Sequence, residues 1–207
     1  MSHRRRRTLR RKAPFRNPKP KILIVSEGRL TEPDYFYALA RSCGALVSFE
    51  VIIERAAGVP LSVVEKAIRH LSGLGRMTNF SRHDTVWAVF DRDEHPHFDR
   101  AIGEALTAGV KVAFSNPCFE LWLVLHFQDW DRPMDRHSMQ HELRRLLPSF
   151  DPSGSKRADF SALSANVGLA VNRGRAMEQR RIEERTPRGN PVTTVFHLVE
   201  HMRQASK

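Results

Sequence analysis

Lys21-Ile-Leu-Ile-Val-Ser26 is a continuous apolar, β-branched-rich run near the start of the chain. A run that does not alternate between apolar and polar residues indicates a strand buried on both faces, as in a parallel sheet. Gly28 ends the run, and Thr31-Glu-Pro-Asp34 is typical of a helix start, with Thr31 as the N-cap residue and Pro33 in the first turn. The chain is therefore predicted to begin with a strand followed by a helix.

The same alternation of strand and helix continues to about residue 130. Further strands are predicted at 47–53, 85–90 and 110–114, and helices at 60–74, 98–108 and 117–127. Beyond this point the strand patterns stop, and helices are predicted at 137–147, 161–181 and 193–201. The sequence thus predicts an α/β fold, with a mainly parallel four-stranded sheet flanked by helices and a helical C-terminal extension.

The positive charge is concentrated at the start of the chain. The 34 Lys and Arg and 23 Asp and Glu give a formal charge of +11, but residues 1–21 hold ten basic residues and no acid, so the remainder carries 24 basic and 23 acidic residues. We expect residues 1–20 to be a disordered arm, either a salt-sensitive tether for nucleic-acid phosphates or a tail that aids solubility or contacts acidic partners. Residues 21–130 are predicted to form the α/β core, and residues 131–207 an extension packed on it.

Composition argues against secreted and membrane proteins. The basic arm is not followed by the apolar segment and cleavage site of a signal peptide. The longest apolar runs are far shorter than the roughly 18 to 20 residues that a membrane-spanning helix needs. Cys43 and Cys118 are isolated, without the spacing of a zinc site or a disulfide framework. We therefore expect a cytoplasmic protein that does not associate with a membrane.

Three acidic residues follow predicted strands directly. Glu27 comes after the first strand, and Asp91 and Asp93 follow the third. Ligands of open α/β sheets bind at the carboxyl ends of the strands, and alternate residues of an extended chain project to the same side. A solvated turn explains any one of these acids, but a cluster of carboxylates repels itself unless a cation is bound. Their combination predicts an all-oxygen site for Mg²⁺ or Mn²⁺.

A second group of polar residues follows the fourth strand. Ser115 or Asn116 is predicted to cap the next helix, and Asn116 and Glu120 would share a face at its start, where the helix dipole favours an anion. A structural acid is an equally good explanation of Glu120. His126 lies about 120° around the helix from Glu120 by helical geometry, and we interpret it as a core histidine hydrogen-bonded at the helix end.

Two further residues are weaker candidates. His95 follows the third strand in a polar loop, and an imidazole there would suit Mn²⁺ better than Mg²⁺. Lys156 is able to neutralise substrate phosphates, although an exposed charged surface explains it equally well. Both residues are candidates for substrate binding, and His95 is also a candidate metal ligand.

Three separated blocks and one short motif resemble a known family. The blocks are Ser26-Glu-Gly-Arg-Leu-Thr-Glu-Pro-Asp-Tyr-Phe36, Phe90-Asp-Arg-Asp-Glu-His95 and Ser115-Asn-Pro-Cys-Phe-Glu-Leu-Trp-Leu-Val-Leu-His-Phe127, and the motif is Asn190-Pro-Val-Thr-Thr194. In this order they resemble the RloB-like family over about residues 21 to 205, without the basic arm. The resemblance implies a Toprim-related fold, anti-phage defence, an ATPase partner and a nuclease activity inferred from that fold.

The resemblance also implies roles for individual residues. Glu27 becomes the general acid/base and a possible metal ligand, and Asp91 and Asp93 become metal ligands for phosphodiester chemistry. Where Toprim proteins often carry a third acid, this sequence has Glu94 and His95. The predicted catalytic residues are Glu27, Asp91, Asp93 and Glu120. The predicted substrate-binding residues are Asn116, Lys156 and His95.

Three functions are compatible with these residues. The leading prediction is a nuclease that uses Mg²⁺ or Mn²⁺ to hydrolyse DNA or RNA, acting as an abortive-infection effector with an ATPase partner. The alternative is a non-catalytic module of a defence complex, which binds nucleic acid or a partner and has a degenerate Toprim site. A phosphatase or phosphotransferase with Asp91 as its nucleophile is a third possibility. The late position of this strand and the Glu27-Gly28 pair fit that third possibility poorly.

Overall fold

A computed structural model of the chain describes residues 19–56, 58–73, 83–92, 95–154 and 156–204. Residues 1–18 of the predicted arm lie outside the described residues. The described chain contains one β-sheet. Its strands are β1 Lys21–Ser26, β2 Glu50–Arg55, β3 Thr85–Asp91, β4 Lys111–Asn116 and β5 Val192–Thr193.

In the described part of the chain, the sheet has five strands in the order β2-β1-β3-β4-β5. The first four strands pair in parallel, and β5 pairs antiparallel with β4. The predicted α/β class is confirmed, but the count of four strands is wrong. The fifth strand has only two residues, which is too short to give a strand pattern in the sequence. Its pairing is reinforced by a hydrogen bond of 2.9 Å between the hydroxyl groups of Ser115 and Thr193.

Helices cover both faces of the sheet. They are α1 Thr31–Ser42, α2 Ala45–Ser48, α3 Pro60–Leu71, α4 Phe98–Thr107, α5 Glu120–Val124, α6 Arg136–Leu146, α7 Phe160–Ser164, α8 Val167–Glu183 and α9 Val195–Gln204. Among the described helices, none combines the length and apolar character that a membrane crossing requires.

The sheet separates two apolar cores. Alternate residues of β1 point to opposite faces, so Ile22 and Ile24 belong to one core while Leu23 and Val25 belong to the other. Helices α3 and α4 supply the second core, and α1, α5, α6, α8 and α9 contribute to the first. The side chains of residues 22–25 in β1 are all fully buried. Burial on both faces accounts for the uninterrupted apolar run in the sequence.

Several predicted boundaries differ from the structure. A short helix, α2, precedes β2, so the second strand begins at Glu50 rather than at 47. The helix predicted at 161–181 is two helices, α7 and α8, and the helix predicted at 117–127 is the five-residue α5. Ser115 or Asn116 was predicted to cap that helix, but both residues end β4 and pair with β5, and Phe119 is the N-cap residue. The pairing of β4 with β5 is a contact between distant segments, which local sequence patterns do not report.

Candidate active site

The carboxyl ends of β1 and β3 bring Glu27 and Asp91 together. The two strands are parallel neighbours, with Ser26 opposite Val89. The backbone N–H of Glu27 donates to the Val89 carbonyl at 3.0 Å. The backbone N–H of Asp91 in turn donates to Oε2 of Glu27 at 3.3 Å. Two of the predicted catalytic residues therefore lie in contact at one edge of the sheet.

The loop after β3 contributes His95 to the same edge. Its Nε2 lies 3.7 Å from Oε1 of Glu27, and the His95 side chain is partly exposed. When protonated, this imidazole forms an ion pair with Glu27. Asp93 and Glu94 lie outside the described residues, so their contribution to the site stays a prediction.

Glu32 is an acid of the site that sequence reasoning did not single out. It lies in the first turn of α1, its side chain is buried, and its Oε1 accepts a hydrogen bond from the Gly28 N–H at 3.1 Å. In the sequence, Glu32 belongs to the helix start Thr31-Glu-Pro-Asp34. A usable indication was present, since Glu32 follows Glu27 by five residues within the same family-like block.

Glu120 completes a group of four acids. It is the first residue of α5, it is buried, and its Oε1 accepts a hydrogen bond from Nε2 of Gln140 at 2.9 Å. We refer to Glu27, Glu32, Asp91 and Glu120 as the carboxylate cluster. Within it, Glu120 lies near the other acids and is at the same time held by a structural hydrogen bond.

Burial and the charges of neighbouring acids raise the pKa values of two members of the cluster, Glu32 and Asp91. Burial raises the pKa of Glu32 to about 7, and the charges of Glu120 and Glu27 act in the same direction. Burial also raises the pKa of Asp91 well above its usual value, and so do the charges of Glu32 and Glu120, whereas Arg136 opposes the shift. The cluster therefore holds more negative charge than its surroundings stabilise.

Cys118 lies beside the cluster, but its thiol is not suited to act as a nucleophile. The side chain is fully buried, and burial, together with the charges of Glu120 and Asp91, raises the pKa of its thiol well above the usual value. The neutral thiol is a poor nucleophile, because the thiolate is the reactive form of cysteine.

Arg136 contacts Asp91 directly, and the sequence did not predict this contact. It is the first residue of α6, and its Nη2 donates to Oδ2 of Asp91 at 3.0 Å. The Asp91 side chain is almost fully buried, whereas that of Arg136 is 36% exposed. The two residues are 45 positions apart, and only the folded chain brings them together.

A cavity of about 200 Å³ opens onto the cluster, and its walls include Glu32, Asp91, Glu120, Arg136 and Lys156. With Arg29, which also lines the cavity, the walls carry three acids and three cations. The cavity is therefore a polar site of mixed charge at the strand ends.

A larger cleft of about 1030 Å³ lies next to this cavity. Arg136 and Lys156 line both spaces, and His95 and Asn116 line the cleft. The three residues that the sequence predicted for substrate binding thus surround one cleft beside the carboxylate cluster.

Asn116 and Lys156 reach the cleft in ways that the sequence did not predict. The proposed common helix face of Asn116 and Glu120 is wrong, because Asn116 is the last residue of β4 and its Nδ2 donates to the Arg188 carbonyl at 2.9 Å. Lys156 has a left-handed backbone with φ of 49°. Its carbonyl accepts a hydrogen bond of 2.7 Å from the hydroxyl of Thr31, which was predicted to cap α1. Leu30 is the N-cap residue instead.

His126 is a core residue, as its sequence context predicted. Its side chain is fully buried, with Nδ1 3.0 Å from the Trp122 carbonyl and Nε2 3.2 Å from the Tyr35 hydroxyl. A carbonyl only accepts, so Nδ1 carries the proton and Nε2 accepts from Tyr35. Burial lowers the pKa of His126 to about 4, which keeps the ring neutral at pH 7.

The carboxylate cluster suits a hard cation in its donor chemistry. Glu27 and Asp91 offer carboxylate oxygens, the ligands that Mg²⁺ and Mn²⁺ prefer. The raised pKa of Asp91 reflects a local excess of negative charge that a divalent cation would relieve. Among the described residues, no three His, Cys, Asp or Glu side chains are arranged to hold a metal ion together. The type of donor fits a hard cation, but the described acids alone do not form a full ligand set.

Comparison with known proteins yields one match. A family model described as RloB-like protein matches residues 22–202. No curated protein and no solved structure matches the chain in the other two comparisons.

Proposed function

Because this chain belongs to the RloB-like family, we propose that it is a divalent-metal-dependent nuclease that hydrolyses phosphodiester bonds in DNA or RNA. One observation carries the proposal. Glu27 and Asp91 leave adjacent parallel strands and meet at the carboxyl edge of the sheet, where the Asp91 N–H donates to the Glu27 carboxylate. Acids at this edge are suited to cation-assisted phosphoryl chemistry. The proposal includes a Toprim-like arrangement of the core.

In this proposal Glu27, Asp91 and Asp93 hold Mg²⁺ or Mn²⁺. Such a cation polarises a phosphoryl oxygen and lowers the pKa of a bound water. Glu27 serves as the general acid/base, and Nε2 of His95 lies 3.7 Å from Oε1 of Glu27, within ion-pair distance. Glu120 accepts a hydrogen bond from Gln140, which fixes the orientation of its carboxylate beside the other acids.

The cleft beside the cluster is proposed to bind the nucleic-acid backbone. Lys156 and Arg136 supply positive charge at the junction of cavity and cleft, and Asn116 and His95 supply polar groups along the cleft. Phosphate contacts of this kind position a strand without reading its sequence. Residues 1–20, with their concentration of arginine, would add non-specific affinity.

The biological part of the proposal is an anti-phage, abortive-infection effector that works with an ATPase partner in the cytoplasm. Its support is membership of the RloB-like family. The partner would control access of nucleic acid to the cleft or activate the nuclease after infection.

A cleavage assay tests the proposal. The purified chain, alone and with the product of its neighbouring gene, is incubated with plasmid, phage DNA and tRNA in Mg²⁺ or Mn²⁺. We expect cation-dependent cleavage that Glu27→Gln and Asp91→Asn reduce at least 100-fold, as expected when a catalytic carboxylate is neutralised. Glu104→Gln is the matched control, because Glu104 lies on α4 in a surface ion pair with Arg100. Inactivity under all conditions, or activity unchanged in both site variants, would reject the nuclease.

A second candidate is a non-catalytic module that binds nucleic acid or a partner. The ion pair between Arg136 and Asp91, 3.0 Å long, favours it, because a carboxylate already paired with a cation is stabilised without a metal.

The two candidates differ in which part of the chain they need. For the binding module, removing residues 1–20 abolishes nucleic-acid binding, while Asp91→Ala combined with Asp93→Ala leaves phage protection intact. For the nuclease, the double substitution abolishes protection and removal of the arm weakens binding only partly.

A further inference from the structure

We infer that Arg136 competes with a divalent cation for the carboxylate of Asp91 and so acts as a built-in regulator of the site. This inference rests on the proposed function, because it concerns the cation that the carboxylate cluster would hold. Toward the cation, Arg136 is a positioning residue, because it acts through Asp91 and is not itself a metal ligand.

The ion pair is close and its acceptor is buried. Nη2 of Arg136 lies 3.0 Å from Oδ2 of Asp91, and the Asp91 side chain is only 6% exposed. The nearby acids Glu32 and Glu120 raise the pKa of Asp91, and Arg136 is the group that opposes them. Any second cation that binds Asp91 must therefore displace or share this guanidinium.

The position of Arg136 in α6 supports the same conclusion. Arg136 is the first residue of this helix, where the dipole disfavours a positive charge. The N-terminus is capped by Asp135, whose carboxylate accepts from the Ser138 N–H at 3.0 Å and from the Ser138 hydroxyl at 2.5 Å. A cation at residue 136 does not stabilise the helix, whereas the contact with Asp91 is favourable for the guanidinium.

The guanidinium also has room to leave. The Arg136 side chain is 36% exposed, and it lines both the small cavity and the cleft of about 1030 Å³. Turning away from Asp91 carries the charge into the cleft that also holds Lys156. Displaced from the carboxylate, Arg136 faces the place where the proposed function puts the nucleic-acid backbone.

Metal binding by the full-length protein tests this inference without nucleic acid. Mn²⁺ affinity is measured by isothermal titration calorimetry for the wild type, Arg136→Gln, Arg136→Lys and Lys156→Gln. We expect Arg136→Gln to bind Mn²⁺ about tenfold more tightly, because an adjacent opposite charge shifts the proton affinity of a carboxylate by tenfold or more. Arg136→Lys, a weaker single-point donor, should gain about threefold.

Lys156→Gln is the matched control. It removes one positive charge from the wall of the same cavity, and it should change the affinity less than twofold. Equal increases in Mn²⁺ affinity for Arg136→Gln and Lys156→Gln would show that the loss of any nearby positive charge has the same effect. That result would overturn the inference.

The remaining outcomes separate this inference from the proposed function. Unchanged or weaker Mn²⁺ affinity in folded Arg136→Gln overturns the inference and leaves the nuclease standing. If that variant does not fold, unchanged or weaker affinity in Arg136→Lys overturns it in the same way. Absence of Mn²⁺ binding in all four proteins overturns both the inference and the proposed metal site.

Discussion

The carboxylate of Glu32 lies directly over Gly28. The Gly28 N–H donates to Oε1 of Glu32 at 3.1 Å, and a Cβ added to Gly28 would lie 1.8 Å from Oε2. Gly28 is therefore needed for this close approach, and it allows the first turn of α1 to bring a second acid beside Glu27.

Gly28→Ala should force the Glu32 carboxylate out of its position. We expect a loss of about 1–3 kcal/mol in the free energy of unfolding, since a buried acid loses its hydrogen bond and its space. Urea denaturation at pH 7 measures the loss. Gly103→Ala, within α4, is the control, because an added Cβ meets nothing within 4 Å there; it should be neutral or stabilise by about 0.5–1 kcal/mol. Equal stability of both variants would contradict the close packing of Glu32 on Gly28.

Glu32 should make the protein less stable as the pH rises. The pKa of Glu32 is about 7 in the folded protein, compared with the ordinary value of 4.5 that applies to the unfolded chain. The folded state therefore binds more protons between these values, and the free energy of unfolding falls as pH rises through this window. We expect Glu32→Gln to stabilise the protein by about 2 kcal/mol more at pH 8 than at pH 5.

Chemical denaturation at the two pH values measures this effect. Asp91 contributes with the same sign, so the substitution should reduce the pH dependence without removing it. Glu104→Gln, a substitution on the exposed face of α4, should leave the pH dependence as in the wild type. A Glu32→Gln variant with an undiminished pH dependence would show that Glu32 has an ordinary pKa.

Tyr35→Phe should destabilise the core without affecting the cluster. It removes the hydroxyl that donates to Nε2 of His126 at 3.2 Å in a fully buried setting, and an unsatisfied buried acceptor costs about 1–3 kcal/mol. Tyr37→Phe on the same helix is the control, because Tyr37 is 46% exposed. This substitution should change the free energy of unfolding by no more than about 0.5 kcal/mol. Thermal denaturation of the two variants distinguishes them, and equal melting temperatures would refute the assigned hydrogen bond.

Lys156→Gln should weaken nucleic-acid binding under the proposed function. In an Asp91→Asn background, which prevents cleavage, we expect about a threefold to tenfold loss of affinity for a labelled oligonucleotide. The slope of log affinity against log salt should fall by about 1, as for the loss of one phosphate contact. Fluorescence anisotropy measures both quantities. Lys66→Gln is the control, since Lys66 pairs with Glu54 in another cleft, and an equal loss in the control would place the nucleic acid elsewhere.

Strand ends were the most predictable part of the site. The uninterrupted apolar run of β1 and the pattern of β3 are local features, and parallel pairing then places Glu27 and Asp91 at one edge. These two residues could therefore be selected from the sequence before any contact was known.

Contacts between distant segments were not predictable in the same way. Arg136 belongs to a helix that follows an irregular loop, and nothing in its local pattern indicates a contact with Asp91. Likewise, β5 has only two residues, and it forms a strand because it pairs with β4. The sequence indicates Glu32 as an acid of a helix start. Its hydrogen bond to Gly28 and its raised pKa, however, depend on the folded structure around it. In each case tertiary packing decides the outcome.

A crystal of the protein soaked in Mn²⁺ tests the central claim, that the strand-end carboxylates hold a divalent cation. The anomalous difference map should contain a peak within bonding distance of the carboxylate oxygens of Glu27 and Asp91, with Arg136 turned away from Asp91. A map with no peak at these carboxylates, in which Arg136 still contacts Asp91 at a saturating concentration of Mn²⁺, would contradict the account.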